Sequence, residues 1–398
     1  MQHSIPKVIC YDAGSLSPLH FYHNQLTFHL KFTMNAIGVS EYGPIEYLKL
    51  QKLPEPSKPT GRQLVVQVKG ISVNPIDIKV RDGTYDDAPD YYERAKPLTL
   101  DENGIHVMGY DGAGVVAHVG PDVRYYKPGD EIFYLGSIVG QGCYAEQQTV
   151  DERHAGRKPK SLDWVQAAAM PLTWATAYES IVTRLGVQKN ERAGMLIING
   201  GGGMGSIACQ LARHYLKLPV VITTASRPET ESFSRDMGAT HVINHREDIA
   251  QQIQDLQAKG ELPVDIPIKY AYITSRTEQY IHPIADILVP FGKVCSIVQA
   301  KFGMYGTQFM SKSLTFVWCW LGSGAYHQYV NDEQEKHHEW YEELANLIDE
   351  GAIRCHLTKR AKLTLENLKE AHRLIESGKS VGKMGLGVDE PGEGTSFV

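Results

Sequence analysis

The chain has 398 residues, of which 42% are hydrophobic and 22% are charged, an ordinary composition that excludes a disordered or fibrous protein. This length exceeds the roughly 100–200 residues of a usual domain, so we expect two domains. Forty basic residues against 46 acidic ones give a net charge of -6, which argues against nucleic acid as a partner.

The first 33 residues contain no apolar segment of the length that a signal peptide needs, and the sequence has no run of transmembrane length. We interpret residues 1–33 as a poorly ordered N-terminal extension, and Met34, where the periodic pattern begins, as an alternative start. The six cysteines are scattered and form no CxxC motif, which is typical of a reduced compartment. The sequence therefore predicts a cytoplasmic protein without a membrane segment.

Short strands and turns are predicted from Met34 to residue 160. Runs such as "LVVQVKGISVNP" and "DEIFYLG" are rich in strand-forming residues and end at Gly or Pro, as in a compact β-rich domain. Around Ser161 the apolar residues change to helical spacing, and Asp163 is the candidate N-cap of the first helix.

From "GMLIING" onward, strands alternate with helical segments, and "GKVCSIV" is predicted to close the series. Strands that alternate with helices predict βαβ units and a parallel sheet. Two longer helices, "HHEWYEELANLIDEG" and "TLENLKEAHRLIESG", then precede a last short strand, "GKMGLGV".

A dinucleotide-binding motif is predicted in "LIINGGGGMGSIACQLAR", at 196–213, because a strand, GxGxxG and a helix follow one another. Gly200, Gly202 and Gly205 have the required spacing for a tight turn, for the approach of the pyrophosphate and for helix–strand packing. We expect Gly203 and Met204 to line that approach, since the N-terminus of the following helix attracts negative charge.

The cofactor is predicted to be NADP(H). An NAD site usually has an acidic residue about 20 residues after the motif, but no Asp or Glu lies between Gly205 and Pro228. Ser226 and Arg227 follow the strand instead, and a hydroxyl with a guanidinium suits the 2′-phosphate of NADPH. The alternative for Arg227 is a solvated loop charge next to Glu229.

Several motifs occur in one order along most of the chain: "SVNPIDIKVRDGTY" (72–85), "GYDGAGVVAHVGPDVRYYKPGDEIFY" (109–134), "AAAMPLTWATAYESI" (167–181), "TASRPET" (224–230) and "KSVGKM" (379–384). With the glycine motif, they make the chain resemble the medium-chain dehydrogenase/reductase superfamily. More closely it is similar to the quinone oxidoreductase branch and, within that branch, to the zinc-type alcohol dehydrogenase-like proteins.

This resemblance implies an α/β fold, in which a Rossmann doubly wound parallel-sheet domain, at 161–305, follows a GroES-like β-rich catalytic domain, at 34–160. Residues 306–398 are expected to return to the catalytic domain, with the active site in the cleft between the two domains. The resemblance also implies a homodimer that acts on a small-molecule substrate.

Zinc-dependent enzymes belong to the same superfamily, yet their metal ligands are absent here. Such relatives carry a cysteine where Asn74 stands and a His-Glu pair where Tyr110 and Asp111 stand, and a catalytic zinc needs three Cys, His or carboxylate ligands. His338 and Glu342 have a metal-binding spacing, but we interpret them as part of a solvated helix face. We therefore predict no metal site.

Without a metal to polarise a carbonyl, the acceptor of the hydride has to be electron-poor, and the metal-free branch resembled here reduces quinones and α,β-unsaturated carbonyls. We therefore expect an NADPH-dependent quinone or enone reductase. Two alternatives stay open: a zinc-dependent alcohol or aldehyde dehydrogenase, and a cofactor-binding regulatory protein with little catalysis.

Three residues are the predicted catalytic groups. Asn74 orients the substrate oxygen, unless it only forms an N-P turn, and Tyr85 donates a hydrogen bond or a proton. Thr176 stands where the family packs a threonine against the nicotinamide ring, although a threonine in such a segment also bonds back to the preceding turn.

Two positions near the cofactor depart from the family pattern. His245 stands where relatives carry a tyrosine near the 2′-phosphate, and Asn199 stands where they carry a small apolar residue before the glycines.

Near the catalytic groups, Asp77 and Arg81 are four residues apart and are predicted to brace their loop by an ion pair.

Overall fold

The computed structural model of the chain describes residues 33–101, 103–329 and 332–390. The predicted N-terminal extension at 1–33 lies outside these residues, except for Thr33, where the first strand begins. The strands are β1 (Thr33–Val39), β2 (Lys49–Pro54), β3 (Gln63–Val73), β4 (His106–Val107), β5 (Asp111–Val119), β6 (Glu131–Leu135), β7 (Gln147–Asp151), β8 (Ala155–Arg157), β9 (Gly194–Ile197), β10 (Val220–Ala225), β11 (His241–Asn244), β12 (Ile268–Ile273), β13 (Lys293–Ser296), β14 (Thr315–Trp318), β15 (Leu357–Lys362) and β16 (Lys383–Gly387).

The helices lie between these strands, and two of them continue into π-helical turns, at Glu179–Arg184 and at Leu211–Tyr215. They are α1 (Pro75–Asp82), α2 (Tyr91–Thr99), α3 (Trp164–Ala168), α4 (Pro171–Tyr178), α5 (Gly203–Gln210), α6 (Pro228–Asp236), α7 (Ile249–Ala258), α8 (Thr277–Ile287), α9 (Gln308–Ser311), α10 (Ser323–Tyr326), α11 (Asp332–Asp349) and α12 (Leu365–Glu376). Asp163 caps α3 as predicted, because its carboxylate accepts from the backbone N–H groups of Val165 and Gln166.

A six-stranded parallel sheet forms the second half of the α/β fold. Its order is β11-β10-β9-β12-β13-β14, which is the 3-2-1-4-5-6 order of a Rossmann sheet, so this prediction is confirmed. The strand that closes the sheet is β14 and not "GKVCSIV", which forms β13. The sheet therefore continues beyond residue 305, and the four residues of β14 are too few to show a periodic pattern in the sequence.

A seven-stranded sheet carries the β-rich half of the fold. Its main path is β15-β16-β3-β5-β6-β8, and β7 also pairs with β3. Because β3 runs antiparallel to both β5 and β16, the end of β3 meets the beginning of each of them. Strands β15 and β16, near the C-terminus, thus lie in one sheet with strands from the first half of the chain.

Helices α4 and α5 pack against each other, and α11 packs against α4. Together they bury the largest apolar cluster, to which Trp174, Ile207 and Tyr341 belong. Since α5 begins at the glycine motif and α4 carries Thr176, this packing fixes the position of the predicted cofactor loop relative to a predicted catalytic residue. Within the ranges that the structure describes, no helix has both the length and the apolar character of a membrane span.

Candidate active site

The glycine motif forms the loop between β9 and α5, and its glycines touch their neighbours too closely for a side chain. A Cβ atom on Gly200 would lie 2.3 Å from Thr223 Oγ1, and one on Gly205 would lie 2.0 Å from the carbonyl oxygen of Asn199. Asn199 itself has a φ of 66°, a left-handed conformation that asparagine tolerates better than an apolar residue does. The loop therefore fits a pyrophosphate at the N-terminus of α5.

One continuous cleft of about 1200 Å³ begins at this loop and extends to the end of β3. The cleft is lined by parts of both sheets and brings together most of the predicted site residues, namely Asn74, Tyr85, Thr176, Gly202, Gly203, Met204, Ser226, Arg227 and His245. Gly200 and Gly205 do not line it, because they are enclosed by Thr223 and Asn199. Their place is structural, under the surface that a cofactor would contact.

Positive charge collects at the end of the cleft that lies beside the glycine loop and the carboxyl ends of β10, β11 and β12, called the nucleotide end below. Arg227 lies there together with Arg246, Arg276 and Lys379, which were not predicted as site residues. Burial lowers the pKa of His245 below its usual value, and the charges of Arg246, Arg276 and Arg227 lower it further. The sequence does contain a signal for Arg246 and Arg276, because they come just after β11 and β12. The carboxyl ends of neighbouring parallel strands meet at one edge of the sheet, where the cofactor is expected to bind.

Arg227 is not a free loop charge. Its Nε lies 3.1 Å from Oε1 of Glu229, and its Nη2 donates to the carbonyl oxygen of Lys379 at 3.1 Å. The carboxylate of Glu229 thus competes with any phosphate that would bind Arg227.

At the other end of the cleft, three buried polar side chains form a hydrogen-bonded cluster. Nζ of Lys383 donates to Oδ1 of Asn74 at 2.5 Å and to Oδ2 of Asp111 at 3.1 Å. Nδ2 of Asn74 donates to the same oxygen of Asp111 at 2.9 Å. The strand register brings them together, since Val73 pairs with Met384 and Ile71 with Gly112.

This cluster occupies the position where zinc-dependent relatives were expected to hold their metal, and it does not fit zinc. Oδ2 of Asp111 also accepts from Ser72 Oγ at 2.9 Å, and Oδ1 accepts from the backbone N–H of Leu172 at 2.7 Å. The carboxylate is thus saturated by donors, and a lysine ammonium already supplies a positive charge. No group of three His, Cys, Asp or Glu side chains suitable for a metal exists in the described part of the chain.

The interpretation of His338 and Glu342 as a solvated helix face is wrong. Nδ1 of His338 donates to the carbonyl oxygen of Ala155 at 2.9 Å, and its ring stacks on Tyr125. Glu342 accepts from the backbone N–H of Arg157 at 2.7 Å. The two side chains therefore join α11 to β8, and this contact lies between distant parts of the chain that helical spacing alone does not reveal.

Tyr85 and Thr176 both line the cleft, but their hydroxyl groups have different hydrogen-bonding roles. Oη of Tyr85 accepts from Nε1 of Trp320 at 2.5 Å, and burial raises the pKa of this phenol well above its usual value. Oγ1 of Thr176 donates to the carbonyl oxygen of Leu172 at 2.7 Å, in its own helix. Tyr85 is thus a neutral donor, whereas Thr176 offers mainly its methyl group.

The predicted ion pair between Asp77 and Arg81 does not form. Oδ2 of Asp77 accepts from the backbone N–H of Asn74 at 2.7 Å and from Tyr144 Oη at 2.8 Å. Arg81 instead binds Glu376 on α12 at 2.7 Å. Asp77 thus caps the beginning of α1 by accepting from a free backbone N–H group of the first turn. This contact takes the place of the expected ion pair with Arg81.

Two family descriptions match the chain: the alcohol dehydrogenase GroES-like domain at residues 60–160 and zinc-binding dehydrogenase at residues 237–384. A zinc-type alcohol dehydrogenase-like protein of Staphylococcus epidermidis is 35% identical over 332 residues, which cover 82% of this chain and 90% of that protein. A chloroplastic NADPH-dependent alkenal/one oxidoreductase of Arabidopsis thaliana is 35% identical over 242 residues, which cover 58% of this chain and 57% of that protein.

Solved structures give the same grouping. A protein of Rhizobium etli CFN 42, assigned to the zinc-dependent alcohol dehydrogenases, superposes with a TM-score of 0.79 and 36% identity, over 90% of this chain and 99% of that one. The quinone oxidoreductase of Coxiella burnetii superposes with a TM-score of 0.70 and 26% identity, over 90% of this chain and 100% of that one.

Proposed function

Because this chain belongs to the medium-chain dehydrogenase/reductase superfamily of oxidoreductases, we propose that it transfers hydride from NADPH to a quinone or an α,β-unsaturated carbonyl without a catalytic zinc. One observation carries this proposal: the cleft that begins at the dinucleotide loop ends at Asn74 and Tyr85, where an ion pair stands in the place of a metal.

The preference for NADPH rests on the charges at the nucleotide end. Arg227, Arg246 and Arg276 line the same part of the cleft as Ser226, and strand β10 ends without a carboxylate that would bind a ribose 2′-hydroxyl. Guanidinium groups bind phosphate through charge-assisted hydrogen bonds. The name of the Arabidopsis relative, which specifies NADPH, supports the same choice.

When NADPH is bound, it supplies a hydride, and the chain's own residues have to hold the oxygen of the acceptor. Asn74 lines the cleft and has a second N–H on Nδ2 for that oxygen. The phenol of Tyr85 accepts from Trp320, and the substrate oxygen competes with the nearby carboxylate of Asp87 for its hydrogen, increasingly so as negative charge develops on the substrate. The methyl group of Thr176 limits the space for the nicotinamide ring.

The acceptor therefore needs a carbonyl or quinone oxygen conjugated to the carbon that receives the hydride. A simple alcohol or aldehyde gains less from this site, because neutral hydrogen-bond donors stabilise its alkoxide more weakly than a zinc ion does. Zinc-dependent alcohol oxidation is nevertheless the alternative that the names of the relatives suggest. A regulatory protein that binds the cofactor without turnover is the other alternative.

The test is NADPH consumption over a panel of quinones, enones, saturated aldehydes and alcohols, with NADH as the control cofactor. We expect turnover with quinones or enones and no turnover with saturated compounds. Oxidation of alcohols that is lost on chelation would support the zinc enzyme, and tight NADPH binding with no turnover would support the regulatory protein. The homodimer and the cytoplasmic location stay predictions, which light scattering and cell fractionation test.

A further inference from the structure

Lys383 joins the two ends of the cleft through a single side chain. The residue is only 4% exposed, although lysine is rarely buried. A Cβ on Gly203 would lie 2.8 Å from Cδ of Lys383, so the aliphatic part of the lysine lies against the dinucleotide loop. The preceding residue, Gly382, donates its N–H to the carbonyl oxygen of Gly201 at 2.9 Å, which fixes this contact.

The ammonium group of Lys383 has no hydrogen left for a substrate. Its three N–H groups match three acceptors: the carbonyl oxygen of Val73 at 3.2 Å, Oδ1 of Asn74 and Oδ2 of Asp111. Any hydrogen-bonded effect of Lys383 on a bound substrate therefore passes through the groups that its ammonium binds. Among these, only Asn74 has a hydrogen-bonding group left over.

The amide of Asn74 has one orientation because of its two charged neighbours. An ammonium only donates hydrogen bonds and a carboxylate only accepts them, so Oδ1 has to face Lys383 and Nδ2 has to face Asp111. The second N–H of Nδ2 has no partner among the residues that the structure describes. With the amide turned around, Asn74 would present its carbonyl oxygen to the substrate oxygen, and the two would repel each other.

We propose, on the basis of the proposed function, that Lys383 is a positioning residue: it fixes the amide of Asn74 so that an N–H, and not the carbonyl oxygen, meets the oxygen of the acceptor. It does so while its stem lies against Gly203. The position of the amide is therefore tied to that of the loop that binds the cofactor.

Removing the lysine alone leaves the charge of Asp111 buried and unpaired, and such a variant is expected to fold poorly. The informative variant is therefore the double substitution Lys383→Met with Asp111→Asn, which removes both charges and keeps an aliphatic stem against Gly203. We expect it to fold and to bind NADPH like the wild type, while kcat with an enone falls on the order of 100-fold, the cost of losing an oriented donor.

The same double substitution in an Asn74→Ala background shows whether the effect passes through Asn74. If Lys383 acts by orienting this amide, the double substitution lowers kcat in the Asn74 protein but adds little to the loss that Asn74→Ala causes. Equal losses in the two backgrounds would overturn the proposal, because they are the pattern of a general structural contribution. A folded double variant with wild-type kcat would also overturn it.

A second readout does not depend on turnover. In ¹⁵N-labelled protein, the side-chain NH₂ resonances of Asn74 are identified by their loss in Asn74→Ala. We expect two distinct, slowly exchanging resonances in the wild type, and a shifted or averaged pair in the double variant. Unchanged resonances would overturn the role of Lys383, whereas a wild type that reduces no acceptor would overturn the proposed function alone.

Discussion

Replacing Arg227 with alanine tests whether this residue selects NADPH. Its guanidinium lies at the nucleotide end of the cleft and is 29% exposed, so a hydrogen bond to a 2′-phosphate would be partly shielded from water. A hydrogen bond to a charged group contributes roughly 1.5–3 kcal/mol, which corresponds to about a 10- to 150-fold change in Kd. We expect NADPH binding to weaken by such a factor, and NADH binding to stay unchanged, in titrations that follow cofactor fluorescence.

The matched control is Glu229→Gln, because Glu229 competes for Arg227 at 3.1 Å. Its side chain is 58% exposed, and an exposed pair contributes about 0.2–1 kcal/mol, so NADPH affinity should rise by no more than about fivefold. Equal weakening of NADPH and NADH by Arg227→Ala would refute the reasoning, since it would show that Arg227 shapes the site without contacting the 2′-phosphate. Residual NADPH preference is expected from Arg246 and Arg276.

Two further predictions concern the substrate end. Burial raises the pKa of Asp77 to about 7, whereas the usual pKa of an unfolded Asp is about 3.9. Between these two pH values the folded protein keeps a proton that the unfolded chain releases. The free energy of unfolding therefore falls as the pH rises through this range. Asp77→Asn should therefore be more stable than the wild type by about 2–4 kcal/mol at pH 8 and show little gain at pH 4 in urea unfolding; an equal gain at both pH values would contradict this. Thr176→Val should lose about 1 kcal/mol of stability, for the hydrogen bond to Leu172, and keep its kcat; a large fall in kcat at unchanged NADPH affinity would show that the hydroxyl acts in the reaction.

The loop of the glycine motif and the parallel sheet around it could be predicted from the sequence because their signals are local. The strand, the glycines and the helix follow one another within 196–213, and the parallel order of the strands follows from their alternation with helices. The short strand β14 was not predicted, because four residues are too few to show a periodic pattern of apolar residues. Arg246 and Arg276 lie just after β11 and β12, so their place beside Arg227 follows from the sequence only once the order of the strands in the sheet is known.

The side-chain contacts at the Asn74 end of the cleft could not be predicted from the sequence, because they join segments that are far apart along the chain. Lys383 is 309 positions from Asn74 and 272 positions from Asp111, and no spacing rule relates them. The expected pair of Asp77 and Arg81 shows the opposite error: the spacing is favourable, but Glu376, 295 positions from Arg81, competes for the arginine. The sequence could indicate that zinc ligands are absent from their usual place, but not that an ion pair takes this place.

We propose above that the chain reduces a conjugated acceptor without a metal. The most direct measurement is the metal content of protein purified without chelator, taken together with enone-dependent NADPH oxidation before and after dialysis against a chelator. We expect zinc far below stoichiometric amounts and an unchanged rate. Stoichiometric zinc, with a rate that is lost on chelation and restored by zinc alone, would contradict the account.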